Sequence, residues 1–134
     1  MEYLLLIYNA ESNYAALSEE ARGALYQDYY AFTEGIRKSG HYKGGNPLQP
    51  VATASTVRVR EGKIVTTDGP FAETREQLGG YYLVDAANLD EAIGLAARIP
   101  GARFGSIEVR PIQKMERPRT TSSSPPAAER MGRG

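Results

Sequence analysis

The stretch Tyr3-Leu4-Leu5-Leu6-Ile7-Tyr8 is apolar on both residue sets that a strand presents. Tyr3, Leu5 and Ile7 lie on one side, and Leu4, Leu6 and Tyr8 on the other. A strand of this kind must be covered on both faces, and this limits the architecture more than any other feature of the chain. No apolar run approaches the length that crosses a bilayer. The segment has no basic leader and no small-residue cleavage site, so it reads as a strand of the folded domain and not as a signal peptide.

Beyond it the periodicity changes. Leu25, Tyr29, Phe32 and Ile36 fall at i, i+4, i+7 and i+11, one face of a helix. Ser18 suits the N-cap, Glu19 and Glu20 the first turn, and Arg37 and Lys38 the last. The pattern predicts a helix from Ser18 to Lys38, stopped by Ser39-Gly40. Lys43 to Pro50 reads as a Gly/Pro-rich loop. Thr53 to Arg60 is β-branched and alternating, Glu61-Gly62 is a turn pair, and Lys63 to Thr67 returns, which predicts a hairpin. Asp68-Gly69-Pro70-Phe71 is a second turn, and Ala72 to Gln77 a polar connection. The flexible pair Gly79-Gly80 precedes a strand from Tyr81 to Asp85. Asn88 with Glu91 three residues on has capping-box spacing, and Leu89, Ala92, Ile93, Ala96 and Ile99 are the second helix's apolar residues. Pro100-Gly101 ends it, and Phe104 to Ile112 is the last strand.

This order predicts an α+β chain on the ferredoxin-like βαββαβ plan, with an antiparallel sheet and one added strand or an elongated hairpin. Right-handed crossovers put both helices on one side of the sheet. The other face would then be bare, although both faces are apolar in the first strand and again at Tyr81/Leu83 and Tyr82/Val84. An apolar face of that size needs a cover. The simplest cover is a second copy, sheet against sheet about a two-fold axis, so a homodimer is expected.

Charge separates the domain from its tail. Residues 114–134 carry five basic and two acidic residues, and residues 1–113 carry 11 basic and 14 acidic. The tail, with three serines in a row and few apolar residues, cannot bury enough surface to offset its ordering entropy. The expected organisation is a folded domain over 1–113 and a disordered C-terminal tail over 114–134. The formal net charge of zero lacks the basic excess of a dedicated nucleic-acid binder. The absence of cysteine excludes disulfides, a thiol nucleophile and thiolate metal sites. With a single histidine, His41, no intrinsic zinc or copper site is expected. Gly44-Gly45-Asn46-Pro47 lacks the Lys-Ser/Thr of a phosphate loop, and no cofactor is expected. A soluble cytoplasmic protein that binds neither membrane nor nucleic acid fits this composition.

Few residues carry chemistry. Asp68 ends a strand at a tight turn. It is either a general base or anchor for a polar ligand group, with Phe71 as an apolar wall, or an Asx-turn residue that accepts backbone N–H bonds. A lone aspartate serves as a base where burial raises its pKa. In the last strand Ser106, Glu108 and Arg110 share a face. Glu108 and Arg110 read either as a mutual ion pair or as an arginine fork for an anionic substrate group. Tyr81 and Tyr82 must point to opposite faces, and each reads either as a hydroxyl for a ligand or, the default, as buried aromatic packing. His41, just past the first helix, is either an acid/base group or an exposed loop histidine.

The run from Val65 to Leu83, with Asp68-Gly69-Pro70-Phe71 at its centre, resembles the DGPF-motif form of the YCII-related family. So do Tyr3 to Tyr8, Gly45 to Pro50 and Ser106 to Pro111, and the likeness spans residues 1–113. The resemblance implies a dimeric α/β barrel, in which ferredoxin-like protomers pair sheet to sheet, in a bacterial, cytosolic protein. Some relatives are suspected small-molecule enzymes with a His–Asp pair in the cleft. Asp68 matches that aspartate. The histidine of those relatives lies on the first helix, which has none here, and His41 does not take its place. The form also looks linked to extracytoplasmic-function sigma factors. The leading expectation is binding, with or without transformation, of a small polar metabolite in a dimer-interface cleft near Asp68, with Phe71, Tyr81, Tyr82 and Arg110 as substrate-binding candidates. The rival is a non-catalytic sensory or regulatory module with a sigma-factor-linked partner. Deleting residues 114–134 is expected to leave thermal stability almost unchanged, and a large fall in Tm would overturn the division at residue 113.

Overall fold

The computed structural model describes residues 1–116, so the expectation for the tail lies, beyond its first three residues, outside the described chain. The opening apolar run forms β1 (Glu2–Asn9). A short helix, α1 (Glu11–Ala15), follows, and then α2 (Glu19–Lys38). Next come β2 (Tyr42–Pro47), β3 (Ser55–Arg60), β4 (Lys63–Asp68) and β5 (Gln77–Asp85). The chain closes with α3 (Leu89–Ala97) and β6 (Ser106–Pro111). Four strands make one sheet in the order β2-β5-β1-β6, with every neighbouring pair antiparallel. With α2 between β1 and β2, and α3 between β5 and β6, this is the ferredoxin-like arrangement.

β1 is central because both of its edges are used, one by β5 and one by β6. One of its faces meets the helices: Tyr3, Leu5 and Ile7 are buried with Val84 of β5, Phe32 and Ile36 of α2, and Ala92, Leu95 and Ala96 of α3. Leu5, Ile36, Val84 and Ile99 are fully buried. Burial of side chains of this size contributes roughly 1.5–3 kcal/mol each. The Ser18 hydroxyl accepts from the Ala21 N–H at the start of α2, and the Asn88 side chain accepts from the Glu91 N–H at the start of α3. On the opposite face Leu4, Leu6 and Tyr8 stay partly exposed in the protomer.

Five local readings change. Residues 43–50 are not all loop, because β2 runs through them as an edge strand along β5. Glycine is what lets it do so: a Cβ on Gly45 would stand 2.8 Å from the Tyr81 carbonyl oxygen and 2.9 Å from the Tyr82 ring. Gly79 and Gly80 lie inside β5 rather than ahead of it, with Gly80 paired to both Ile7 and Pro47. The hairpin adds no strand to the main sheet. It is a separate two-stranded sheet inserted between β2 and β5, and β2 supplies the strand that the βαββαβ plan required. Its turn has Glu61 and Gly62 at φ of 52° and 75°, the paired positive φ values of a type I′ turn. The α1 turn was not legible in the periodicity. In α3 the buried residues are Ala92, Leu95 and Ala96, while Leu89 and Ile93 are exposed.

Gly45→Ala is expected to destabilise the domain by about 1–3 kcal/mol, the usual cost of overpacking. Gly23→Ala, on an exposed turn of α2 with no neighbour within 4 Å of the added methyl, is expected to stabilise it by about 0.5–1 kcal/mol. Urea denaturation of both variants checks the opposite signs.

Candidate functional site

The face of the sheet away from the helices is ordered in cross-strand rows. Gly44 pairs with Leu83, Leu83 with Leu4, and Leu4 with Arg110. In the next row Asn46 pairs with Tyr81, Tyr81 with Leu6, and Leu6 with Glu108. Side chains directly opposite one another share a face. The rows therefore have an apolar middle of Leu4, Leu6 and Leu83 and polar ends. At one end the Asn46 amide Nδ2 donates to the Tyr81 hydroxyl at 2.8 Å, which leaves the phenol proton to donate outward. At the other end Arg110 Nε donates to Glu108 Oε2 at 2.7 Å, and a second nitrogen of the same guanidinium contacts that oxygen. Beyond the rows, Ser106, paired with Tyr8, donates its hydroxyl to Glu76 Oε1 at 2.8 Å. That bond ties the connection after the Asp68–Phe71 turn to this face.

The other expected residues are placed differently. Tyr82 points to the helix side. Its ring is edge-on to Phe32 at 5.2 Å between centroids, and its hydroxyl lies 2.7 Å from Thr33 Oγ1. Because the Thr33 hydroxyl donates to the Tyr29 carbonyl, the Tyr82 hydroxyl is the donor to Thr33. Burial raises the Tyr82 pKa, and its phenol stays protonated. Asp68 is exposed at the end of β4, opposite Ser55. Its carboxylate has no hydrogen-bond or ion-pair partner among the described residues, and just beyond it the hairpin pairing is extended by the Gly69 N–H donating to the Ala54 carbonyl at 2.7 Å. Phe71 is 81% exposed and walls nothing in the protomer. Tyr81 and Arg110 are thus brought to one face, Tyr82 is turned to the other, and Asp68 and Phe71 stand on the inserted hairpin and its exit turn. An open apolar groove of about 270 Å³ lies elsewhere, between Ile93, Ala96 and Ala97 of α3 and Ile107 and Val109 of β6. Among the described residues no cluster of three or more His, Asp or Glu side chains could hold a metal ion.

Asn46 was missed by sequence reasoning. Its partnership with Tyr81 depends on the β2–β5 register, and no local pattern carries that register. His41 does lie on the connection between α2 and β2, but it is half-buried and is not part of the open face. Its Nδ1 is 2.6 Å from the Ser39 hydroxyl and its Nε2 is 3.1 Å from Glu91 Oε1, which links the end of α2 to the start of α3. The Glu91 carboxylate also accepts from the Ala87 N–H at 3.0 Å. That bond first, and His41 second, hold its carboxyl below the usual glutamate range.

A carboxyl lowered in this way adds stability that is present above the ordinary glutamate range and is lost as pH falls through the folded value. The difference in Tm between wild type and Glu91→Gln is therefore expected to be positive at neutral pH and to close in acid. A difference that stays constant across a pH series of melts would overturn this.

A model of the YCII-related domain matches residues 1–116. An uncharacterised protein of Rhizobium meliloti (strain 1021) is 40% identical over 114 residues, covering 84% of this chain and 92% of the relative. Among solved structures, the chain is similar to 5-chloro-2-hydroxyhydroquinone dehydrochlorinase (TftG) from Burkholderia phenoliruptrix AC1100, solved in complex with 2,5-dihydroxybenzoquinone. The identity there is 15% and the TM-score 0.48, over 84% of this chain and 94% of that one. The family match covers all of the described chain, and the relative is similar over most of its length: the chain belongs to the YCII-related domain family.

Proposed function

We propose that two copies of the chain close their open sheet faces on one another and bind a small polar metabolite between them. The observation that supports this reading most directly is the pair of cross-strand rows. They present an apolar floor of Leu4, Leu6 and Leu83 between the Tyr81–Asn46 pair and Arg110. A few polar groups converging on an apolar surface is the usual make-up of a small-molecule site. Arg110 takes an anionic group of the ligand, because its fork matches a carboxylate or phosphate and its present partner, Glu108, is a partly exposed surface pair. Tyr81 donates to a second polar group. Asp68 is the residue proposed to act on the ligand, as anchor or as general base. Such a homodimer would work in the cytoplasm of a bacterium, without cofactor, membrane or nucleic acid.

One observation favours a second reading. Val57, Val59 and Ile64 of the hairpin are 60%, 60% and 74% exposed on one face, as an interaction module would leave them. In that reading the chain transforms nothing and meets a protein partner in transcription control linked to extracytoplasmic-function sigma factors.

A thermal-shift screen of metabolites on wild type, Arg110→Ala and Asp68→Asn separates the two. The expected result is an anionic compound that stabilises wild type, by about 2.7 kcal/mol at a hundred times its Kd, and does not shift either variant. Both variants are expected to fold, since both positions are exposed. Equal shifts in all three proteins, or no shift from any compound, would overturn the small-molecule reading.

A further inference from the structure

The β3–β4 hairpin is firmly rooted and otherwise bare. At its base the Glu11 carboxylate accepts from the Val51 N–H at 2.9 Å, Gln77 Oε1 accepts from the Glu11 N–H at 2.9 Å, and the Leu48 N–H donates to the Gly79 carbonyl at 2.9 Å. The strands that rise from these roots are exposed along nearly their whole length. Their two faces differ sharply. Cross-strand pairing puts Val57, Val59, Ile64 and Thr66 on one face, and Arg58, Arg60 and Lys63 on the other with Val65, Thr56 and Thr67. A hairpin with a basic face and an apolar face places the basic one in water and the apolar one against a surface. A lone two-stranded hairpin is also marginal without such support.

The pairing has a further consequence. Asp68 stands opposite Ser55 at the base of the hairpin, in register with Val57, Val59 and Ile64 and on their face. Whatever covers the apolar face also receives the Asp68 carboxylate. We propose that the hairpin lies across the open sheet face of a second copy, so that Asp68 completes the partner's site and not its own. This rests on the homodimeric reading above and names which chain supplies the aspartate.

Area and charge both point to a second copy as the occupant. A four-stranded face of this length projects on the order of 400 Å² from the strand spacings. A stable interface takes about 800 Å² from each partner. The hairpin's apolar face is joined to that sheet, since its roots leave from the end of β2 and the start of β5, and it adds apolar area next to the open face. The surface it would cover carries the exposed Arg110–Glu108 pair on the same face as Leu4 and Leu6, a weak pair whose guanidinium can turn to an arriving carboxylate. Folding back onto its own sheet would not explain why that face stays partly exposed alongside the hairpin.

The chain has no cysteine, so single introduced cysteines report distances between copies without background. Two differently tagged full-length chains, Asp68→Cys and Leu83→Cys, are co-expressed, purified as a mixed population and treated with a short bismaleimide. A covalent dimer containing both tags is expected. Replacing Asp68→Cys by Thr67→Cys, on the hairpin's other face, is expected to abolish it. Sedimentation equilibrium supplies the second measurement. Val59→Asp/Ile64→Asp is expected to weaken the wild-type dimer by about tenfold or more, since the interface would bury unpaired carboxylates. Val65→Asp, on the opposite face, is expected to leave it unchanged. A monomeric wild type overturns the homodimer itself. A wild-type dimer that gives no mixed crosslink and is indifferent to the hairpin charges overturns only the exchange of Asp68, and assigns the hairpin face to a different protein.

Discussion

Everything in this domain is arranged around a central strand that has no polar side. β1 uses both of its edges in pairing and buries Tyr3, Leu5 and Ile7 under the helices. Among the described residues two helices form the core, and both are spent on that one face. Leu4, Leu6 and Tyr8 are left to whatever meets the sheet from outside. The ferredoxin-like order follows from the same demand. A strand as apolar as β1 is best placed between two others, and the crossovers through α2 and α3 bring β5 and β6 to its sides.

Much of this could be read from the residues because it was written locally. Ser18, Glu19, Glu20, Arg37 and Lys38 mark the two ends of α2, and the structure places the helix between them. Glu61-Gly62 specifies the hairpin turn through its two positive φ values. What could not be read depends on contact between distant segments. β2 is rich in glycine and looks like a loop because the reason for its glycines lies in another strand, where Tyr82 turns its ring toward Gly45. The separation of the hairpin from the main sheet is likewise invisible in its β-branched alternation, which is the same for a strand in either sheet.

The candidate site divides along the same line. Alternation predicted that Glu108 and Arg110 share a face and that Tyr81 and Tyr82 do not, and the strand registers agree. Which tyrosine faces the helices was decided by Phe32, Tyr42 and Thr33, all of which gather round Tyr82. Asn46 was out of reach for the reason that β2 was. The position of Asp68 was foreseen as a strand end at a tight turn, but not that its strand would belong to an arm standing off the domain.

The electrostatics of the open face explain why a cover matters to its chemistry. In the isolated protomer the Arg110–Glu108 pair is solvated, and exposed pairs of this kind contribute about 0–1 kcal/mol. A guanidinium held so weakly exchanges partners at little cost, which suits the ligand-binding role proposed for it. The same solvation makes it a poor binder, because water competes for each of its hydrogen bonds. A surface laid over Leu4, Leu6 and Leu83 would exclude that water and lower the local dielectric, and the attraction between Arg110 and a bound anion would grow accordingly. The apolar middle of the rows and their polar ends therefore act together. In the proposed dimer the leucines would supply the free energy that closes the face, and closing it would give Arg110 and the Tyr81 hydroxyl their strength as ligand-binding groups.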